Sequence, residues 1–447
     1  MVLLSFSLVF YFWGGPKYLL LLLGMVFACW FFALLIYRYR KTSLSKLFLI
    51  CDCVVMLGLL VFFKYLTFFA GITNSLFHVP AEIPQIALPI GISFYTFQLL
   101  SYVIDVYRRE IKPQQSYWKL LLYASLFHQC IAGPIVRYQL IADEIDHRTV
   151  SLDELSRGIK RFSIGLAKKA ILANGCAAVV DTLLPTTVKD LAGIPAAGLW
   201  LGLLFYSFQI FLDFAAYSDM AIGMGMMVGF HYAENFNYPY IAKSIKDFWS
   251  RWHISLSTFF RDYVYIPLGG NRKGERRTII NTFIVWGLTG LWHGASWNFI
   301  FWGLYYFVFL IIERKYLGEK LQRLPSIVGH IYAVIVVYFG WALFYCDSAG
   351  TLGTLLKGMF GLNKNGLINA SVPIVFKNNV FLLIFCILAC TPILKHLGAK
   401  VKRLFQATGR IPYISYVYDM VVPTAMLILS LLALVGNSYN PFLYFRF

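Results

Sequence analysis

Two histidines stand out as groups able to do chemistry, His293 and His253. His293 closes an apolar run that reads Gly287-Leu288-Thr289-Gly290-Leu291-Trp292-His293-Gly294-Ala295-Ser296-Trp297-Asn298. An imidazole in such surroundings must be hydrogen-bonded or face a cavity, because burying a bare polar group is costly. Its ordinary pKa near 6.5 suits removal of a hydroxyl proton, and burial favours the neutral, basic form. Glycines on either side allow another backbone or a substrate to come close. A purely structural hydrogen bond is the competing role. His253 sits in Arg251-Trp252-His253, where it could orient the first imidazole, bind a carbonyl, or anchor a short helix.

Other chemistries fail on inspection. The two histidines are forty residues apart and no HExxH occurs, so no zinc or other metal site is expected. Gly91-Ile92-Ser93-Phe94-Tyr95 lacks the closing glycine of a nucleophile elbow. Gly223-Met224-Gly225-Met226-Met227-Val228-Gly229 follows no strand, so its glycines read as helix-packing positions. Phosphate loops of the GxxxxGK[ST] type are missing. Three acids in apolar stretches, Asp105, Asp213 and Asp219, lie near Gln98 and Gln209. Such acids could pair with basic partners, line a polar funnel, or carry protons.

The elements that hold these residues are membrane helices. The chain has 447 residues, 59% hydrophobic and 13% charged, against about a quarter charged in soluble domains. Apolar runs near the roughly 20 residues that cross a bilayer recur from Tyr18–Tyr37 to Val421–Val435. Among them are Trp118–Val136, Ala196–Phe214 and Ala215–Phe230. Backbone groups in lipid must pair internally, so these runs predict helices. The fold class is all-α and polytopic, with about eleven to thirteen transmembrane or re-entrant helices, in a single membrane domain over residues 1–447. From Tyr232 to Arg277 the sequence is too polar for a simple span yet crowded with aromatics. This predicts a central interfacial or re-entrant segment of short helices, closed by the turn Leu268-Gly269-Gly270-Asn271. The polar stretch Arg137–Arg161 reads as one cytoplasmic loop with a short helix. Eight cysteines lie mostly in apolar runs and read as small buried hydrophobes. The excess of 39 basic over 21 acidic residues sits in short loops beside the spans. That is the positive-inside pattern with attraction to anionic membrane lipid, so no nucleic acid is expected.

Several long blocks then carry a resemblance. Asp247–Arg277, DFWSRWHISLSTFFRDYVYIPLGGNRKGERR, and Leu288–Tyr306, LTGLWHGASWNFIFWGLYY, closely resemble the membrane-bound O-acyltransferase family, in its alginate O-acetylase-like branch. Pro89–Arg108, Ile131–Tyr138, Asp213–Gly225, Glu234–Tyr240 and Asn440–Phe447 agree, in the same order along the chain. Two departures are a start close to the Phe10–Tyr18 block and Phe127-His128-Gln129-Cys130 where a proline-containing variant is expected.

The resemblance implies a ring of tilted helices around a thinned centre, with His293 catalytic and His253 beside it. It implies that Trp252, Trp292 and Asn298 contact substrate. Arg251 and Arg261, with Lys246, could meet the phosphates of coenzyme A or a phosphopantetheine carrier, or serve as ordinary anchors. The implied donor is acetyl-CoA or another acyl thioester, with no permanently bound cofactor. The expected partner is an extracytoplasmic hydrolase-like acetyltransferase, the acceptor a cell-surface glycan, and the location the bacterial cytoplasmic membrane. D-alanyl transfer from a carrier protein to teichoic acid is the alternative within the class. A non-catalytic transporter or acyl conduit is the alternative outside it.

Overall fold

The computed structural model describes residues 1–77, 86–131, 133–363, 365–406, 411–435 and 442–443. All regular structure among the described residues is helical. Among the described residues five helices are long and apolar enough to cross a bilayer: Pro16–Arg38, Leu44–Phe77, Leu152–Leu183, Ala196–Met227 and Ser326–Tyr345. A sixth arises if Ser371–Asn378 and Val380–Ala389, bent by 54°, count as one broken span. Other apolar runs form shorter helices, among them Ile92–Arg108, Glu275–His293 and Trp297–Ile312; the expected eleven to thirteen took in such pieces. The protein is an all-α, multi-pass membrane protein.

Three runs depart from their expected boundaries. Ala196–Phe214 and Ala215–Phe230 are not separate spans but share one helix of 32 residues, Ala196–Met227. Nothing between them breaks a helix, since Ala215, Ala216 and Tyr217 all continue the ladder. At 1.5 Å per residue it is about 48 Å long, well beyond the roughly 30 Å hydrocarbon core. The run Trp118–Val136 is helical only over Tyr117–Ser125, and the chain is irregular as it approaches Gly133-Pro134, where proline cannot continue a helix. The polar stretch Arg137–Arg161 is also more ordered than one loop: it holds the helix Tyr138–His147 and the start of Leu152–Ala167.

The chain forms two compact units. The first comprises Met1–Leu155, Met224–Ala233 and Thr258–Leu268. In it, fully buried Asp105 accepts a hydrogen bond from the Tyr263 hydroxyl at 2.7 Å. Phe97 stacks on Phe259 with ring centres 4.2 Å apart. Arg137 pairs with Asp262 at 2.7 Å. His231 bridges two acids, Glu144 at 2.7 Å and Glu154 at 3.1 Å. The hydrogen bond to Glu144 raises the pKa of His231 above its ordinary value.

The second unit comprises Ser156–Gly223, Glu234–Ser257 and Gly269–Phe447. Its helix Leu152–Ala167 widens into a π-helical stretch, Lys168–Ala173, before Asn174–Leu183. The wider turn lets two neighbouring lysines serve one partner helix. Lys168 pairs with Asp219 and Lys169 with Asp213, both at 2.7 Å, while Arg161 also reaches Asp219 at 2.6 Å. Gly223 fits against the carbonyl of Gly158 at this crossing, and Gly165 against that of Ala216. Two of the three acids singled out in the sequence are thus ion-paired where glycines bring the helices together. Six of the eight cysteines are buried, and the Cys176 and Cys386 sulfurs lie 3.4 Å apart.

Candidate active site

The site lies in the second unit and begins with a hairpin. Glu275–His293 and Trp297–Ile312 turn back on each other through Gly294-Ala295-Ser296. The two helices touch through main-chain atoms. A side-chain carbon added at Gly290 would strike the carbonyl oxygen of Phe299, and one at Gly303 the carbonyl oxygen of Trp286. Small residues at such crossings allow close backbone approach in membranes. His293 is the last residue of the first helix, so the hairpin fixes its position.

Around His293 the walls are aromatic. Its ring centre lies 4.9 Å from Trp302 and 5.5 Å from Phe344, both edge-on. With Ile210, Asp213, Phe214, Trp252, Trp341, Phe442 and Leu443 these residues line a cavity of about 30 Å³. Trp302 is fully buried and its indole N–H has no acceptor among the described residues, an unsatisfied donor beside the imidazole.

His253 joins two short helices, Ile245–Arg251 and Ile254–Phe260. Its φ of 45° is left-handed, a conformation that costs a non-glycine residue roughly 1–2 kcal/mol. Asn235 holds the junction. Its Oδ1 accepts from Ser255 N at 3.1 Å and Ser255 Oγ at 2.9 Å, and faces His253 Nδ1 at 3.2 Å. The Ile254 N–H donates to the Asn235 carbonyl at 2.9 Å. With Nδ1 donating to this oxygen, the neutral ring presents its basic lone pair at Nε2, which is buried and has no hydrogen-bond partner among the described residues. Trp292 stands between the two imidazoles, its ring centre 5.6 Å from His253 and 5.0 Å from His293.

The remaining candidate residues divide. Trp252 lines the cavity and packs on Trp341, ring centres 4.8 Å apart. Asn298 is in the first turn of its helix and accepts from the Ser296 hydroxyl. Arg251 pairs with Asp247 at 2.7 Å and reaches the Asn237 carbonyl at 3.4 Å. Arg261 belongs to the first unit, where it pairs with Asp262 at 2.7 Å. Lys246 faces a different, larger cleft of about 600 Å³, shared with Lys243 and Arg314. Under it, buried Glu313 accepts from the backbone N–H groups of Ile245 and Lys246. Asn235, Trp302, Trp341 and Phe344 are site residues that motif reading passed over. Asn235 is 18 positions from His253, and one of two asparagines in an aromatic block gives no local sign of that partnership.

Comparison with known proteins shows what the chain is similar to. The membrane-bound O-acyltransferase family matches residues 107–352. The probable alginate O-acetylase of Azotobacter vinelandii is 35% identical over 476 residues, covering 100% of this chain and 94% of its own length. The peptidoglycan O-acetyltransferase of Helicobacter pylori is 34% identical over 395 residues, covering 82% and 74%. The teichoic acid D-alanyltransferase of Bacillus subtilis is 30% identical over 272 residues, covering 57% and 68%.

Proposed function

The chain belongs to the membrane-bound O-acyltransferase family, and we propose that it moves an acetyl group from a cytoplasmic thioester toward a polysaccharide of the bacterial cell surface. The observation that carries this reading is His293, a buried imidazole at the end of a main-chain hairpin, walled by aromatics and bordered by an unsatisfied indole N–H. Relatives that act as O-acetyltransferases across most of the chain favour acetyl over D-alanyl.

In this mechanism His293 takes the proton of the acceptor hydroxyl as its oxygen attacks the thioester carbonyl. The C–S bond then breaks, and the proton on His293 goes to the departing thiolate. General-base help of this kind is worth about 10²–10⁴-fold. The Trp302 N–H faces the charge that develops on the carbonyl oxygen, where a fixed donor in a dry site is most effective. His253, held by Asn235, supports the same centre across Trp292. The donor is acetyl-CoA or another acyl thioester, used as substrate. The acceptor hydroxyl is carried by a glycan or by an extracytoplasmic hydrolase-like acetyltransferase that passes the group on. The working location is the bacterial cytoplasmic membrane.

The test uses membranes holding the chain, its glycan acceptor and labelled acetyl-CoA, with wild type and His293→Ala at equal protein levels. Label should reach the acceptor at least 100-fold faster with His293 present. Equal transfer by the variant would remove His293 from the chemistry and favour a passive conduit. A wild type that uses only carrier-bound D-alanine would replace acetyl with D-alanyl.

A further inference from the structure

The cavity at His293 has one wall from a distant part of the chain. Phe442 and Leu443 line it, although the nearest other lining residue in sequence is Phe344. Both are buried, at 7% and 6% exposure. They are strapped to the helix Ala196–Met227 through Asp213. Its Oδ2 accepts the Leu443 backbone N–H at 2.6 Å, and its Oδ1 pairs with Lys169 at 2.7 Å. The Lys169 ammonium lies 5.9 Å from the centre of the Phe442 ring. That ring packs against Tyr217 at 5.1 Å and Phe214 at 6.1 Å. A charged pair inside a membrane protein is expensive unless both partners are satisfied, and here it holds two residues against the candidate catalytic cavity.

Volume says what the strap does. About 30 Å³ holds two or three waters at roughly 10–15 Å³ each. Space of that order takes the methyl end of an acetyl group. A longer chain that runs inward meets Phe442 and Leu443 or the other walls, Trp252, Trp302, Trp341 and Phe344, large rings packed on one another. Phe442 and Leu443 instead come from a separate part of the chain, tied to the helix Ala196–Met227 by the Leu443 N–H to Asp213 and by ring packing on Tyr217 and Phe214. We propose that Phe442 and Leu443, positioned by Asp213 and Lys169, are the residues that restrict the acyl group at His293 to the shortest chains. Phe442 and Leu443 determine specificity by contact, whereas Asp213 and Lys169 are positioning residues. The proposal rests on the acyltransferase reading with His293 at the reacting centre.

The experiment is a donor-length profile of the full chain in membranes, using acetyl, propionyl, butyryl and hexanoyl thioesters. The readout is the kcat/KM of each longer donor relative to acetyl. Wild type should discriminate against each added methylene by about tenfold, the low end for one methylene in an apolar pocket. Phe442→Ala and Leu443→Ala should each raise the butyryl-to-acetyl ratio about tenfold, and Asp213→Asn should move it in the same direction. Folding is checked by elution and melting of the detergent-extracted protein. If Phe442→Ala does not fold, Phe442→Leu carries the test, since it removes the ring and keeps the site apolar. An unchanged ratio in folded, active wall variants overturns the proposal, as does a folded Phe442→Ala that is inactive with every donor. An Asp213→Asn enzyme that loses activity without a change in ratio overturns the positioning role. If wild type uses a different acyl class altogether, the acetyl reading fails, and the length profile within that class still decides whether the wall sets the limit.

Discussion

At the scale of single residues, the site is governed by which atom of each side chain is held and which is left available. Asn235 shows this best, because one oxygen caps a helix, fixes Ser255 and faces His253 Nδ1. Removing it deprives a buried imidazole of its orienting partner, a loss of about 1–3 kcal/mol. Asn235→Ala is therefore expected to lower kcat about tenfold with little change in KM. Asn235→Asp keeps the acceptor and adds a charge that favours the imidazolium. It should recover much of kcat while moving the acidic limb of the pH–rate profile to higher pH; no shift in that limb would make Asn235 a structural cap only. His293 was legible from sequence because it interrupts an apolar run, and Trp252 because it adjoins His253. Asn235 and Trp302 were not, because their importance lies in an oxygen shared across 18 residues and in an N–H lacking an acceptor among the described residues.

At the scale of elements, precision comes from the glycine-lined hairpin and from the ion-paired helix crossing. Gly303→Val puts branched carbons against the Trp286 carbonyl, an overpacking that costs about 1–3 kcal/mol. The variant should melt earlier in detergent and lose acyl transfer out of proportion to that change, since His293 moves with its helix. Equal melting and activity would mean that the hairpin tolerates separation. The His231 bridge to Glu144 and Glu154 gives a pH dependence with a definite sign. Its pKa is raised in the folded protein by the Glu144 hydrogen bond. The bridge therefore contributes fully below the unfolded imidazole value of about 6.5 and is lost as pH rises through the raised folded value. Wild type should lose melting temperature over that upper window, and His231→Gln should flatten the slope; identical slopes would exclude the bridge as its cause. Helices were readable as apolar runs, but their limits were not. Ala196–Met227 lacks any breaker where two spans were counted, and Tyr117–Ser125 ends within an apolar run that carries no mark of its end.

At the scale of the whole molecule, the class was legible from composition alone: few charges, long apolar runs and basic residues gathered beside them. The long-range partnerships were not, since nothing in 447 residues marks Asp213 as the acceptor of a backbone N–H 230 positions away. The basic turn and helix start holding Arg272, Lys273, Arg276 and Arg277 should face the cytoplasm under the positive-inside rule. A single cysteine introduced as Lys273→Cys, with exposed native thiols blocked beforehand, should react with an impermeant maleimide in inside-out vesicles and not in intact cells. The opposite pattern would invert the topology and with it the side from which the thioester donor arrives.

The hairpin under His293 also bears on how such a sequence can change through descent. Its closest contacts run between main-chain atoms at Gly290 and Gly303, so they name no side chain that a mutation could gradually reshape. Neighbouring positions can drift among apolar residues while the imidazole stays in place, provided those two sites remain glycine. A lineage that keeps this arrangement can replace most of its other letters and inherit the same reacting centre.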